Sequence, residues 1–121
     1  MVDGRRSRRL GAGVLLLITA SCGSTSLYEW GHYEDSIAAM YATGSGYDPA
    51  VEVARLVEQV EQTEHRGKLV PPGVRAHIGF LLFESGNAER GASYLLAEKN
   101  AYPESAVFVD GLLARQRGTT P

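Results

Sequence analysis

The chain has 121 residues, with 12 Lys and Arg against 14 Asp and Glu, one Cys and one Trp. This length allows one small domain. Residues 1–21 hold four Arg and one Asp, so the rest of the chain carries a net charge of −5. Phosphate contacts require Lys and Arg, and in this domain acidic residues outnumber them, which argues against nucleic-acid binding. A single Cys excludes an intrachain disulfide and any zinc site that needs two cysteines.

The N-terminal segment has the pattern of an export signal. Four Arg within residues 5–9 precede an apolar stretch, residues 10–20, whose one polar member is Thr19. As a helix this stretch would span about 16 Å, roughly half of a hydrocarbon core. Because it is too short to cross a membrane, we predict that residues 1–21 form a signal peptide.

The residues around the single Cys resemble a bacterial lipobox. Two small residues precede Cys22, although Thr19 stands where Leu is usual. The resemblance implies that the thiol is acylated, with palmitate or a similar fatty acid, and that residues 22–28 form a lipidated tether. Gly23 is compatible with sorting to the outer membrane, where the anchored protein would face the periplasm. An ordinary signal peptide with a free thiol is the alternative, and both Sec and twin-arginine export remain open.

The first two predicted helices follow this tether. Helix 1 covers about residues 33–42, where apolar side chains repeat at helical spacing as one stripe. Helix 2 opens at Asp48, an N-cap acceptor, and continues through Pro49 at the first helical position. Gly67 ends helix 2, whose Val and Leu residues form a buried face and whose Glu residues lie on wetter sides.

Three further helices are predicted after the rigid break at residues 71–73. Helix 3 covers about residues 74–85 and is apolar on two sides, which indicates that it packs on two sides. Helix 4 covers about residues 88–101, with Asn87 as its N-cap. Helix 5 covers about residues 104–115 and presents a further apolar surface.

The pattern as a whole predicts an all-α fold. No strong alternation of apolar and polar residues indicates a strand. We therefore predict about five helices in antiparallel hairpins over residues 29–117, followed by a disordered tail at residues 118–121.

Residues 72–105 resemble one tetratricopeptide unit. Gly79 and Gly91 are small residues that would let helices 3 and 4 approach closely. Arg75 and Glu98 depart from the motif, which usually has Trp and a small residue at these places. The motif positions that agree are occupied by Ile78, Gly79, Leu82, Gly86, Leu95 and Pro103.

Several short blocks carry a second resemblance. The Trp-Gly-x-Tyr block at residues 30–33 and the Pro-Glu-Ser block at residues 103–105 are the most specific, with supporting residues at 70–73 and 79–82. Over roughly residues 22–115, the chain resembles a tetratricopeptide-like family of small bacterial outer-membrane lipoproteins, the domain of unknown function 4810. The resemblance implies an envelope assembly with other lipoproteins, including one related to the curli export pore, and it implies no activity.

The three histidines do not form a recognisable catalytic or metal-ligand pattern. His65 lies beside Glu61 and Glu64, which suits a metal ion but equally an exposed, charged helix end. His77, on the apolar helix 3, is more typical of a packed histidine than of a ligand. His32 has no nucleophile at a recognisable spacing. We predict no catalytic residue, no cofactor and no metal site.

Aromatic side chains form the candidate interaction surface. Trp and Tyr are frequent anchors of protein interfaces, but they also fill cores and close the open end of a helical stack. Likewise, the Glu residues of helix 2 suit a solvated face or a groove for a basic peptide. The candidate residues are Tyr28, Trp30, Tyr33, Tyr41, Phe80 and Phe83.

The favoured function is that of a non-catalytic, lipid-anchored helical adaptor in an envelope complex. Its expected partners are other envelope proteins, with the membrane bound through the lipid. Stacks of helical repeats need about three units for a continuous core, so a partner protein or a second copy is expected to cover the apolar surface of helix 5. The alternative is an envelope enzyme or small-ligand binder that uses the aromatic and His residues.

Overall fold

The computed structural model describes residues 26–42, 44 and 46–118, which form five α-helices. No strand occurs among these residues, so the prediction of an all-α fold is confirmed. The predicted signal peptide, Cys22 and residues 119–121 lie outside the described residues. The helices are α1 (Tyr33–Tyr41), α2 (Pro49–His65), α3 (Val74–Glu84), α4 (Ala88–Ala101) and α5 (Ala106–Gln116).

Local residues set the starts of α2 and α4 and the end of α2. The Asp48 carboxylate accepts a hydrogen bond from the Ala50 amide at 2.9 Å and so caps α2 ahead of Pro49. Gly67, at φ +64°, ends the same helix while the Lys68 amide donates back to the Thr63 carbonyl at 3.0 Å. The Asn87 side chain accepts from the Arg90 amide and caps α4. These caps stand where the sequence predicts them.

The start of the last helix differs from the prediction. Pro103–Ser105 form a short 3-10 turn, and α5 begins only at Ala106. The predicted start at residue 104 falls inside this turn. Proline suits both a 3-10 turn and the first turn of an α-helix, so its presence does not distinguish them.

Helix α3 is the centre of the domain, with one core cluster on each side. On one side, Ile78 and its neighbours pack against Leu56 and the other apolar residues of α2. On the other side, Ala76 and Phe83 pack against Leu95 of α4 and the buried residues of α5. The prediction that α3 packs on two sides is confirmed. No described helix is long and apolar enough to cross a membrane.

Helices α3 and α4 form a tight antiparallel hairpin. A Cβ atom added at Gly79 would lie 2.9 Å from the Gly91 carbonyl oxygen, so the two backbones are in direct contact. The carboxylate of Glu98, near the end of α4, accepts from the Gly73 amide at 2.6 Å at the start of α3. The close approach predicted from the two glycines is confirmed.

A buried polar network attaches α1 to α2. The Ser36 hydroxyl donates to the Glu52 carboxylate, and both side chains are buried. Arg55 donates to Glu52 at 2.8 Å and to Ser36 at 3.1 Å, which neutralises the buried charge. These contacts place α1 across the start of α2, where its apolar stripe faces α3.

Candidate functional site

The six predicted interaction residues separate into three environments. Tyr28, Trp30 and Tyr33 form a chain of ring contacts, with centroids 6.3 Å apart for the first pair and 6.2 Å for the second. Tyr33 also lines a groove together with Tyr41 and Phe80. Phe83 is only 8% exposed and lies in the core cluster between α3 and α4, away from the surface.

The groove runs between α1, α3 and the beginning of α5 and has a volume of about 360 Å³. Its walls remain open to solvent, since Tyr41 is 77% and Phe108 60% exposed. Apolar and aromatic side chains dominate the surface, which is the character of a protein-binding groove more than of a closed cavity. The lining residues are Tyr33, Ile37, Met40, Tyr41, Gly73, Ala76, His77, Phe80 and Phe108.

Helical spacing explains why α1 and α3 expose these residues. Tyr33, Ile37 and Tyr41 follow each other at four-residue intervals along α1, so they share one face. His77 and Phe80 are three residues apart on α3, between the faces that meet α2 and α4. Sequence analysis assigned Phe80 to an apolar face of α3, and in the structure this ring is 39% exposed, at the groove.

His77 supplies the polar group on the groove wall. Its ring meets Tyr33 edge-on, with centroids 5.8 Å apart, and its Nε2 atom is buried without a hydrogen-bond partner among the described residues. Burial lowers the pKa of His77, and the Glu52 carboxylate acts weakly in the opposite direction. The imidazole is therefore neutral at pH 7, and its buried Nε2 makes no hydrogen bond among the described residues.

Two exposed glutamates share helix faces with residues of the groove. Glu34 lies three residues before Ile37 on α1, and Glu84 lies four residues after Phe80 on α3. Both glutamates are exposed, and helical spacing places each on the same face as the apolar residue it flanks. A ligand with an apolar centre and basic ends would match this distribution of charge.

A second depression, of about 430 Å³, lies between α2 and the segment that precedes α1. It is polar, and its charged groups are largely paired: Arg66 with Glu29, and Arg55 with Glu52. His32 stands exposed at its edge, 3.7 Å from Asp35. The histidine and carboxylates of this depression lie at the surface, and the described residues contain no group of three metal-ligating side chains.

Gln59 is a residue that sequence analysis did not single out. Its side-chain amide donates to the Trp30 carbonyl at 2.7 Å and accepts from the His32 amide at 3.0 Å. Gly31, between them, has φ +52°, and a Cβ there would lie 2.6 Å from the Gln59 side chain. Gln59 thereby fixes the turn that stacks Trp30 on Tyr33. Only a long-range contact reveals this role, since 27 residues separate Gln59 from His32.

The two departures from the tetratricopeptide motif are both paired in the structure. Arg75 donates to Glu64 of α2 at 2.6 Å. Glu98 is buried, with one oxygen accepting from Gly73 and the other without a hydrogen bond among the described residues.

The Glu98 carboxylate also acts on Tyr33 at the groove. Burial raises the pKa of Tyr33, and the nearby carboxylate raises this pKa further.

Comparison with known proteins gives one match. The model of a family described as a domain of unknown function, DUF4810, matches residues 27–112. The matched range covers all five helices except the last turn of α5. No curated protein and no solved structure matches the chain.

Proposed function

The chain belongs to the DUF4810 family, and we propose that it acts as a non-catalytic, lipid-anchored helical adaptor of the bacterial envelope. The groove between α1, α3 and α5 is the observation that carries this proposal. It exposes several large apolar side chains in one place. Two of them, Phe108 and Tyr41, contribute little to the core. Contiguous exposed apolar surface of this kind marks sites of protein interaction.

The occupant that fits the groove best is a helical segment of another envelope protein. An amphipathic helix lays apolar side chains at positions i, i+3 or i+4, and i+7 into such a groove. Lys or Arg at its ends would meet Glu34 and Glu84. The rings of His77 and Tyr33 would form part of the wall that the segment packs against.

Cys22 is the proposed site of attachment to the membrane. Each buried methylene contributes about 0.8 kcal/mol, and two or more acyl chains hold a protein stably where one chain does not. We place the protein at the outer membrane, facing the periplasm, because of Gly23 after the acylated residue. In this position the adaptor would stabilise an assembly that includes a pore-forming lipoprotein.

Site-specific crosslinking in intact cells tests the groove. A photoreactive phenylalanine analogue replaces Tyr41 or Phe108 in the full chain, and Leu96 of α4 as the control. Leu96 is 47% exposed and apolar but does not line the groove. We expect positions 41 and 108 to capture one envelope protein at an apolar helical segment flanked by Lys or Arg. Capture of the same protein from position 96, or of a second copy of this chain alone, would contradict the proposed occupant.

Cell fractionation tests the anchor. Cys22→Ala should move the protein from the membrane fraction to the soluble periplasm and abolish labelling by an alkyne-bearing fatty acid. A Cys22→Ala variant that keeps the label would show that acylation occurs elsewhere. A wild-type chain that takes up no fatty acid would overturn the assignment of Cys22.

A small-ligand binder is the second candidate, and the position of His77 among the aromatic residues of the groove wall favours it. The groove volume of about 360 Å³ falls within the range of small-molecule sites. Under this function His77→Phe would abolish binding of a low-molecular-weight ligand extracted from the purified protein. Under the adaptor function, the same variant would weaken capture of the partner, and mass spectrometry would find no co-purified ligand.

A further inference from the structure

We propose that the end of the domain that carries Leu27, Trp30 and Leu69 lies in the interfacial region of an anionic membrane. This inference rests on the anchor of the proposed function and adds a second, direct contact between protein and lipid. The three residues together are called the membrane patch below. The patch differs from the groove, since none of its residues lines the groove.

Backbone pairing assembles the patch from two distant segments. Tyr28 and Leu69 form a parallel bridge, and the Glu29 amide donates to the Leu69 carbonyl at 3.3 Å. The segment before α1 thus lies beside the loop between α2 and α3. The ring of Tyr28 also contacts the ring of Trp30 edge-on. The pairing gives this end a fixed shape although it contains no helix.

The exposed side chains at this end are those that favour a membrane interface. Leu27 is 66%, Leu69 51% and Trp30 39% exposed. Trp is enriched at the level of the lipid headgroups, because its ring is apolar while its N–H remains hydrated. Leu side chains beside it can enter the boundary between headgroups and acyl chains. All three exposed residues belong to the two segments that the Tyr28–Leu69 bridge joins.

The charges near the patch favour an anionic lipid surface. Lys68 is exposed next to Leu69 and forms no ion pair with any described residue. Two glutamates close to this end along the chain are already paired, Glu29 with Arg66 and Glu64 with Arg75. One uncompensated cation therefore remains at this end. A basic residue near an anionic surface contributes about 1 kcal/mol of binding.

The position of the proposed anchor points the same end at the membrane. Leu27 follows Cys22 by five residues, a reach of no more than about 18 Å for an extended chain. The acylated residue would hold the patch within this distance of the bilayer. The tether raises the effective concentration of the patch at the bilayer surface. A patch with low intrinsic affinity for lipid is therefore sufficient for contact.

The single Trp of the chain makes the patch directly observable, since Trp30 is its only source of tryptophan fluorescence. The full-length lipidated protein, purified from the envelope, is reconstituted into vesicles of phosphatidylethanolamine and phosphatidylglycerol. Lipids brominated near the headgroup replace part of the normal lipid. We expect the Trp30 emission to shift to shorter wavelength relative to the protein in detergent, and the brominated lipids to cause a loss of intensity.

Two variants distinguish the effect of charge in the patch from the effect of charge added elsewhere on the surface. Leu27→Asp combined with Leu69→Asp should restore the intensity in brominated vesicles, while circular dichroism stays unchanged. Val51→Asp is the matched control, because Val51 is an equally exposed aliphatic residue on α2, outside the patch. The control should be quenched as strongly as the wild type.

Flotation of the same vesicles distinguishes failure of the patch from failure of the anchor. A protein that floats with the vesicles but keeps full Trp30 intensity overturns the patch and leaves the anchor intact. A protein that carries no fatty acid and does not float overturns both. Protection of Trp30 that needs an added envelope protein, and not lipid, would make this end a protein interface and would also overturn the proposal.

Discussion

At the scale of single residues, a few side chains determine how closely the elements approach. Gly79 and Gly91 allow direct backbone contact between α3 and α4. Glu98, near the end of α4, accepts from the amide of Gly73, the residue before α3, and an unsatisfied buried amide would cost about 1–3 kcal/mol. His77 carries one buried nitrogen that has no hydrogen-bond partner among the described residues. Each of these roles depends on one atom or on the absence of one.

Gly79→Ala should lower the free energy of unfolding by about 1–3 kcal/mol, because the new methyl group would press on the Gly91 carbonyl oxygen and on Leu95. Gly111→Ala is the control. Gly111 lies inside α5 with open space around its Cβ position, so alanine should stabilise the helix by up to about 1 kcal/mol. Urea denaturation followed by circular dichroism measures both. Equal effects of the two substitutions would refute the close approach.

Stability should decrease in acid because of His77. Burial lowers the pKa of His77 in the folded state below the ordinary value of 6.5. As the pH falls, the unfolded chain therefore binds the proton before the folded chain does. The contribution of neutral His77 to the free energy of unfolding is complete above pH 6.5 and is lost below it. Since the ring is partly exposed, the loss should stay under about 1 kcal/mol.

His77→Gln isolates this effect from the titration of carboxylates. Glu52 of α2 and Tyr33 of α1 are the titratable groups that face His77, and both remain in the variant. The difference in free energy of unfolding between variant and wild type should change between pH 7 and pH 5. A constant difference for His77→Gln would contradict the prediction.

At the scale of elements, side chains of α2 hold the segments on its surface. Glu52 and Arg55 attach α1 through Ser36. One turn further on, Gln59 attaches the turn before α1 through two backbone hydrogen bonds. The start of the domain thus depends on polar contacts with α2, whereas α3 and α4 depend on apolar packing and close backbones.

Gln59→Ala should release the turn at Trp30 while leaving the helices intact. Loss of the two hydrogen bonds should cost about 1–2 kcal/mol. In aqueous solution Trp30 should become more accessible to iodide, and its emission should shift to longer wavelength. Gln62→Ala is the control, since Gln62 is exposed and bonds only to Glu58 on the same helix. Unchanged quenching in Gln59→Ala would show that the ring stack alone fixes the turn.

At the scale of the whole molecule, the apolar residues divide into those that hold the fold and those left for other molecules. The two clusters on either side of α3 contain the buried side chains. Phe108 and Tyr41 remain outside them at the groove, and Leu27 and Leu69 remain outside at the end nearest the predicted anchor. The arrangement separates a proposed protein-binding surface from a proposed lipid-binding surface on one small domain.

Phe108→Ser should abolish capture of the partner without unfolding the protein. Because the ring is largely exposed, the free energy of unfolding should change by less than about 0.5 kcal/mol. Val109→Ala, at the adjacent and fully buried position, should instead cost about 1–3 kcal/mol. Thermal denaturation and crosslinking in cells measure the two effects. Retained capture by a folded Phe108→Ser protein would remove α5 from the interface.

The sequence by itself determined the elements. Asp48, Gly67 and Asn87 mark helix ends because caps act on the nearest backbone amides and carbonyls. Apolar spacing determined which side of α2 is buried and that α3 packs on two sides, since helical periodicity is a local property. The family followed from short blocks of residues, and its model matches residues 27–112. The tetratricopeptide character, the signal peptide and the acylation of Cys22 stay predictions.

Only the tertiary structure decided which aromatic residues face outward. Phe80 and Phe83 are both phenylalanines on α3, three positions apart. Phe80 lines the groove, whereas Phe83 packs against Gly91. Their environments come from other helices, α1 and α5 for Phe80 and α4 for Phe83. The pairing of Gln59 with Trp30 depends in the same way on distant segments. Burial is a property of the neighbours in space, and helical periodicity reports only the direction of a side chain.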